Sequence, residues 1–228
     1  ILALDDASED GTAEVLEPYA RVMPLTLLRN EQRAGRGPSI ERLVREVVNR
    51  SRYPKRDGLL MMQADFTDGP EAIPEMLRHF QGGADLVVSR PTDSDQAPRP
   101  IRAAHAGAGV LVRNLPRPEG VEDPLAGFRL YRLIVLKRAL DGLDGDTPLL
   151  RHNGWAANVE LLSAVTPYVR RSEQVDVTVD YSRRYRRSRF RPLPELWSVF
   201  RASREVRTES EFGSSADEST EKRAVGGR

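Results

Sequence analysis

Three groups of polar, mostly acidic residues sit where short apolar runs end or turns begin: Asp5 and Asp6 after Ile1–Leu4, Gln63-Ala64-Asp65 after Leu59–Met62, and Glu122-Asp123 ahead of Pro124. Carboxylates at strand ends are oxygen ligands for a hard divalent cation, magnesium or manganese, and such a cation neutralises the charge of a departing diphosphate. Taken singly, each group reads equally well as a solvated turn. Convergence of all three on one rim is what would make a site. Gln63 offers a neutral amide oxygen, a poorer ligand than a carboxylate. Asp68 is close enough to assist, or to cap the helix that follows.

The basic residues are distributed unevenly. Net charge is +1, yet thirty-two of the thirty-five basic residues are arginine, and they crowd between Arg183 and Arg207. Arginine dominance fits a GC-rich, bacterial genome as well as it fits bidentate phosphate binding. The run Arg183, Arg184, Arg186, Arg187, Arg189 and Arg191, with Tyr185 and Phe190 interleaved, reads as a patch for nucleic-acid backbone or anionic membrane headgroups, or as solvated surface. Acidic strand ends would repel nucleic-acid phosphate, so no nucleic-acid partner is expected. The segment after the run puts Leu196, Val199 and Phe200 on one helical face beside Trp197, which suits either docking at a membrane surface or packing on the domain. His79, His105 and His152 share no metal-ligand spacing and are assigned no role. The absence of cysteine excludes disulfides, thiolate chemistry and cysteine zinc sites. No apolar run is long enough to cross a bilayer, and the cytoplasm is the expected compartment.

Positioning these residues takes alternating elements. Strand, turn and helix follow one another through ILALDDASEDGT, with a second strand at Leu25–Leu28. In the helix after the glycine-bearing loop RNEQRAGRGPS, Ile40, Leu43, Val44, Val47 and Val48 form one apolar stripe. LLMM at 59–62 suits a strand buried on both faces, Ile73, Met76, Leu77 and Phe80 stripe the next helix, and Leu86–Val88 is another strand. Residues 91–100 form a surface loop, helices are expected through Val110–Val112, Leu133–Leu140 and Trp155–Val165, and Gln174–Ser182 alternates as an antiparallel or edge strand. This order predicts an α/β three-layer sandwich: a mainly parallel sheet with helices on both faces plus a small antiparallel element, its ligands beyond the strands' carboxyl ends. One domain over 1–203 is followed by a polar tail at 204–228 expected to be disordered.

The ordered strings resemble family 2 glycosyltransferases of the GT-A (Rossmann-like) fold. LDDASEDGT is similar to their VDDGSxDGT signature, RNEQRAGRGPS to RNxxNxGKGAA, and LLMMQADFTDGPEAIPEML to hDADxxHxPExIPxLL. DPLAGFRLYRLIVL resembles DxxSGFRxYRRxVL of the polyprenyl- or dolichyl-phosphate mannose and glucose synthase branch, GWAANVELLSAV its GFxFxxELLxxA helix, and YSRRYRRSRF its YRxRxxGxSK stretch. The family's N-terminal PxYNE strand and helix have no counterpart, so the chain is expected to be N-terminally truncated.

The resemblance implies a nucleotide-sugar donor, a polyprenyl phosphate acceptor and inversion at the sugar, at the inner face of the plasma membrane. It also implies a nucleotide-binding half at 1–90 and an acceptor half at 91–203. Asp6, with Asp5 behind it or serving the turn, would meet the donor's base or ribose. Gly35 and Gly37 would let the backbone approach the nucleotide, with Arg36 at the family's lysine position. Gln63 and Asp65 would hold the metal. Asp123 would be a catalytic carboxylate or an acceptor-site acid, depending on whether the acceptor is a hydroxyl or a phosphate. Arg129 would hold phosphate, or pair with Asp123 or Glu122. Arg187, Ser188 and Arg189 would close over phosphate. His105-Ala106 stands where related synthases have Ser-Arg, leaving Arg90, Arg99 and Arg102 as substitutes. Transfer to a sugar hydroxyl, with Asp123 as base, and a silent nucleotide- or glycan-binding module are the alternatives.

Overall fold

The computed structural model describes residues 1–64, 68–92, 97–178 and 191–207. Asp65, Arg187, Ser188 and Arg189 therefore lie outside the described residues, as do most of the arginine run and the tail from 208 onward. Strands β1 (Leu2–Asp5), β2 (Thr26–Arg29), β3 (Gly58–Met61), β4 (Leu86–Pro91), β5 (Arg129–Arg132) and β6 (Ser172–Val177) alternate with helices α1 (Thr12–Ala20), α2 (Arg36–Arg50), α3 (Ile73–Gln81), α4 (Arg99–Val112), α5 (Leu133–Asp141) and α6 (Gly154–Val165). A last helix, α7, spans 192–207.

The strands form two sheets. β1 and β2 pair in parallel, and a four-stranded sheet has the order β3-β5-β4-β6. In the latter β5 runs antiparallel to both neighbours while β6 is parallel to β4, so β3, β4 and β6 point one way and β5 is the reversed strand. β6 sits at the edge, as the alternation of 174–182 predicts, but pairs in parallel.

Side chains on β4 alternate between two cores, which is the signature of a sheet covered on both faces. Leu86 and Val88 pack with Ile40 and Val44 of α2, Val135, Leu136 and Ala139 of α5, and Leu161 and Leu162 of α6. Val87, between them, faces Met76 and Phe80 of α3 together with Phe128, Leu130 and Val175. The stripes read on α2 and α3 therefore cover opposite faces of the sheet, except that Leu77 is exposed, and the three-layer expectation holds. A third core joins Ala108 and Val112 of α4 to Ala156 and Val159 of α6 and Val199 and Ala202 of α7. α7 thus packs on the domain through Leu196 and Val199, and it runs to residue 207, beyond the expected start of the tail at 204. Its other side leaves Leu193 and Trp197 exposed. No helix among the described residues is long and apolar enough to cross a membrane.

Candidate active site

Met61, the last residue of β3, and Val88, within β4, both lie opposite Arg129, the first residue of β5. Gln63 just past β3, Arg90 near the end of β4 and Asp123 ahead of β5 accordingly lie toward one rim, where Arg90 meets Glu122. The β1–β2 pair joins this rim through α2. Arg36, at the start of α2, donates to the Gly154 carbonyl at 3.2 Å and to Asn158 Oδ1 at 3.3 Å, and its Nη2 lies against Gly127.

The first acidic group shapes its own loop. Asp5 is buried, and its Oδ1 accepts from the Ser8 N–H at 3.0 Å, so it serves the turn. Its Oδ2 has no hydrogen bond and lies 3.5 Å from Arg29 Nε. Within this turn Ala7 adopts φ 53°, a left-handed conformation that costs a non-glycine residue about 1–2 kcal/mol. Asp6 Oδ1 accepts from Asn30 Nδ2 at 2.7 Å and Ala34 N–H at 2.8 Å, and Oδ2 from Gly35 N–H at 2.9 Å. Burial pushes the Asp6 carboxyl up, but these hydrogen bonds and the charge of Arg33 outweigh it and hold the group below the usual carboxylate range. Through these bonds Asp6 organises the glycine loop. Beside this turn lies a cleft of about 350 Å³ lined by Ala7, Ser8, Glu9, Arg29, Asn30 and Glu31.

The two loop glycines are explained by the protein itself. A Cβ on Gly37 would stand 2.0 Å from the His152 carbonyl oxygen, and one on Gly35, where φ is 94°, would stand 2.6 Å from Asn153 Oδ1. The Gly37 N–H donates to Asn153 Oδ1 at 2.8 Å. Close approach to residues 152–153 requires glycine here.

At the second group, the Gln63 N–H donates to Asp68 Oδ2 at 2.7 Å, so Asp68 closes the turn after β3. Of the expected metal pair only Gln63 is among the described residues; its side-chain amide oxygen is of the type a hard divalent cation accepts. A separate group, His152, Glu160 and Glu205, brings potential ligand atoms within 4.8 Å of one another between α6 and α7. It is held by protein partners: Glu160 accepts from the Arg151 and His152 N–H groups and from His152 Nδ1.

The third group is the most ordered. Asp123 Oδ1 accepts from the Leu125 N–H at 2.8 Å, and its Oδ2 lies 3.2 Å from His105 Nε2 on α4. The His105 ring also meets Trp155 edge-on, centroids 5.3 Å apart. Burial pushes the Asp123 carboxyl up, but the hydrogen bond and charge of His105, the Leu125 N–H and the charge of Arg129 together hold it low. His105 is raised by its hydrogen bond to Asp123, against the opposing effect of burial. His105, given no role from sequence, is thus the direct partner of the candidate catalytic acid.

Arg129 requires a correction. It is almost completely buried, and it donates to the Asn158 carbonyl at 2.8 Å, the Pro124 carbonyl at 2.7 Å and the Tyr131 hydroxyl at 3.1 Å. Neither a phosphate grip nor a direct ion pair describes it; it fixes the segment that carries Asp123. Arg90 pairs with Asp176 at 2.6 Å and Glu122 at 3.4 Å. Arg102 lies half-buried on α4, one turn before His105. Asn158, overlooked in an apolar helix, is buried and donates to the Leu125 carbonyl at 2.7 Å while receiving Arg36.

Comparison with known proteins agrees with this architecture. Over 142 residues the chain is 25% identical to a dolichol-phosphate mannosyltransferase of Pyrococcus furiosus, covering 60% of this chain and 38% of that protein. It is 24% identical over 141 residues to a prophage bactoprenol glucosyl transferase homolog of Escherichia coli, covering 60% of this chain and 42% of that protein. The chain thus spans about two fifths of the length of these relatives. Among solved structures, mannosyl-3-phosphoglycerate synthase from Rubrobacter xylanophilus superimposes with a TM-score of 0.59 at 20% identity, covering 92% of this chain and 64% of that one. Glucosyl-3-phosphoglycerate synthase from Mycobacterium tuberculosis, in complex with Mg2+ and UDP, gives 0.52 at 22% identity, covering 90% and 64%. The sequence matches the family described as glycosyl transferase family 2 over residues 1–140, more than half its length, and with the GT-A architecture above the chain belongs to that family.

Proposed function

We propose that this chain is the catalytic part of an inverting transferase that moves a sugar from a nucleotide-diphosphate donor, of the GDP-mannose or UDP-glucose type, to a polyprenyl phosphate. The observation that carries the choice of acceptor is the state of Asp123. Both its oxygens are engaged and its carboxyl is held low, which makes it a weak proton acceptor. A hydroxyl acceptor needs a general base, whereas a phosphate monoester is largely ionised near neutrality and attacks without one. Lipid-phosphate acceptors also agree with the names of the two curated relatives.

On this reading the donor lies along the rim between the Asp6 loop and Asp123, with Asp5, Asp6, Gly35 and Gly37 shaping its floor and Arg36 supplying positive charge. Gln63 and Asp65 would hold magnesium or manganese, which when bound offsets the negative charge of the donor diphosphate. Arg187, Ser188 and Arg189 would close over phosphate, and Arg102 would contribute near the acceptor. The exposed Leu193 and Trp197 of α7 support a peripheral contact with the membrane that carries a lipid acceptor.

A thermal-shift screen of nucleotide sugars with and without manganese tests the donor, since binding stabilises the native state by mass action. Stabilisation by one nucleotide class, strengthened in Gln63→Asp when manganese is present, is expected. No shift with any donor in either protein refutes the enzyme reading and leaves a silent module. Asp123→Asn separates the acceptors: transfer to lipid phosphate should largely survive, whereas transfer to a hydroxyl with Asp123 as base should be abolished.

A further inference from the structure

We propose that His105 is the residue that receives the acceptor's anionic group, presenting Nδ1–H to a phosphate oxygen while Asp123 holds the ring from its opposite nitrogen. The inference deepens the reading above and rests on it for the identity of the reaction.

The geometry divides the pair into an inner and an outer member. The Asp123 side chain is 15% exposed and that of His105 is 44% exposed. Asp123 has spent one oxygen on the Leu125 N–H and the other on His105 Nε2. His105 Nδ1 has no partner among the described residues. An oxygen arriving at this part of the rim therefore meets the imidazole first. The ring is steered at two points, by the carboxylate at Nε2 and by the edge-on contact with Trp155, so its outer nitrogen has a set direction.

Charge agrees with this arrangement. An imidazole that donates to a carboxylate keeps its proton to higher pH, as the raised affinity of His105 reflects. The protonated ring is a charge-assisted donor for phosphate. The other charges bearing on this place are Arg102, three residues earlier on α4, Arg129 behind Asp123, and Glu195 of α7, which accepts from the Trp155 N–H. Glu122 is paired with Arg90. Trp155 brings no charge.

The test uses the full chain carrying Trp197→Phe, which leaves Trp155 as the sole tryptophan and a reporter in contact with His105. Its fluorescence is titrated with farnesyl phosphate, glycerol phosphate and farnesol. Saturable binding of a phosphate but not of farnesol is expected; farnesyl phosphate alone identifies a lipid source, and glycerol phosphate as well extends the site to soluble monoesters. His105→Asn should weaken phosphate binding about tenfold, the loss expected for one charge-assisted hydrogen bond. His105→Arg should restore most of it. In the parent, affinity should fall as pH rises through the titration of His105, and in His105→Arg this alkaline loss should vanish. Three results would overturn the proposal: farnesol binding as well as its phosphate or no phosphate binding at all, unchanged affinity in a His105→Asn protein that melts normally, or binding that strengthens with rising pH. The nucleotide-sugar thermal shift, run on the same variants, judges the donor reading separately. If the donor shift persists while phosphate binding ignores His105, this inference alone fails.

Discussion

Arg36 and Asn158, 122 residues apart in sequence, meet at 3.3 Å, and the same Asn158 side chain holds the Leu125 carbonyl at 2.7 Å. One buried amide thus joins the start of α2, the middle of α6 and the segment bearing Asp123. Asn158→Leu should remove both bonds and leave the Leu125 carbonyl unsatisfied, costing about 1–3 kcal/mol. Urea unfolding measures the loss, and donor affinity should fall with it because Arg36 loses its anchor.

Two glycine substitutions should move stability in opposite directions. Gly37→Ala would drive a methyl into the His152 carbonyl and should lower the melting temperature even without nucleotide, by the roughly 1–3 kcal/mol of an overpacked site. Gly109→Ala, on α4 with nothing within 4 Å of the added carbon, should stabilise by about 0.5–1 kcal/mol. If Gly37→Ala melts normally and only nucleotide binding suffers, the glycine serves the ligand after all.

Ala7→Gly relieves a left-handed residue. About 1 kcal/mol of stabilisation is expected, net of the greater chain entropy of glycine. Calorimetry on the pair of proteins is sufficient.

Arg129→Lys should behave as a severe substitution despite its retained charge. A lysine cannot reproduce the forked donation to Asn158, Pro124 and Tyr131, and a buried cation left poorly bonded costs about 3–5 kcal/mol. Loss of soluble expression or a large drop in denaturant midpoint is the expected readout, whatever substrate is present.

Stability should depend on pH through His105 and Asp123. The Asp123 carboxyl is depressed in the folded state, so its contribution is present above its unfolded pKa near 3.9 and is lost as pH falls through the folded value. His105 is raised, so its contribution is full below about 6.5 and is lost as pH rises through the folded value. The pair therefore stabilises most between about pH 4 and 6.5. Melting curves of the parent and His105→Asn should converge on the alkaline side.

The layered fold was legible because apolar periodicity survives in single elements: the stripes of α2 and α3, and the runs at 59–62 and 86–88, lie where the spacing predicts. β5 was not. Its four residues, RLYR, contain two arginines, and nothing local announces that Arg129 is buried among carbonyls or that Arg132 packs over the Phe80 ring at 4.2 Å. The acids of the rim were legible as residue types, but their employment was not, because Asp6 meets Ala34 and Gly35, and Asp123 meets His105, only through tertiary structure. His105 was passed over for the same reason: its partner lies 18 residues downstream, at no spacing that a metal or triad motif would flag.

Among the described residues no ladder joins β1–β2 to the four-stranded sheet, and a two-stranded pair is marginal on its own. The half that carries the Asp6 loop thus relies on α2 and on the Arg36 and Asn153 contacts for its attachment. Amide exchange should accordingly separate the molecule into a slowly exchanging unit around β4 and a faster one around β1, opening at a lower free energy. Any ligand seated beside Asp6 would then spend part of its binding energy on quieting that unit, and its arrival would be felt as protection of amides it never touches.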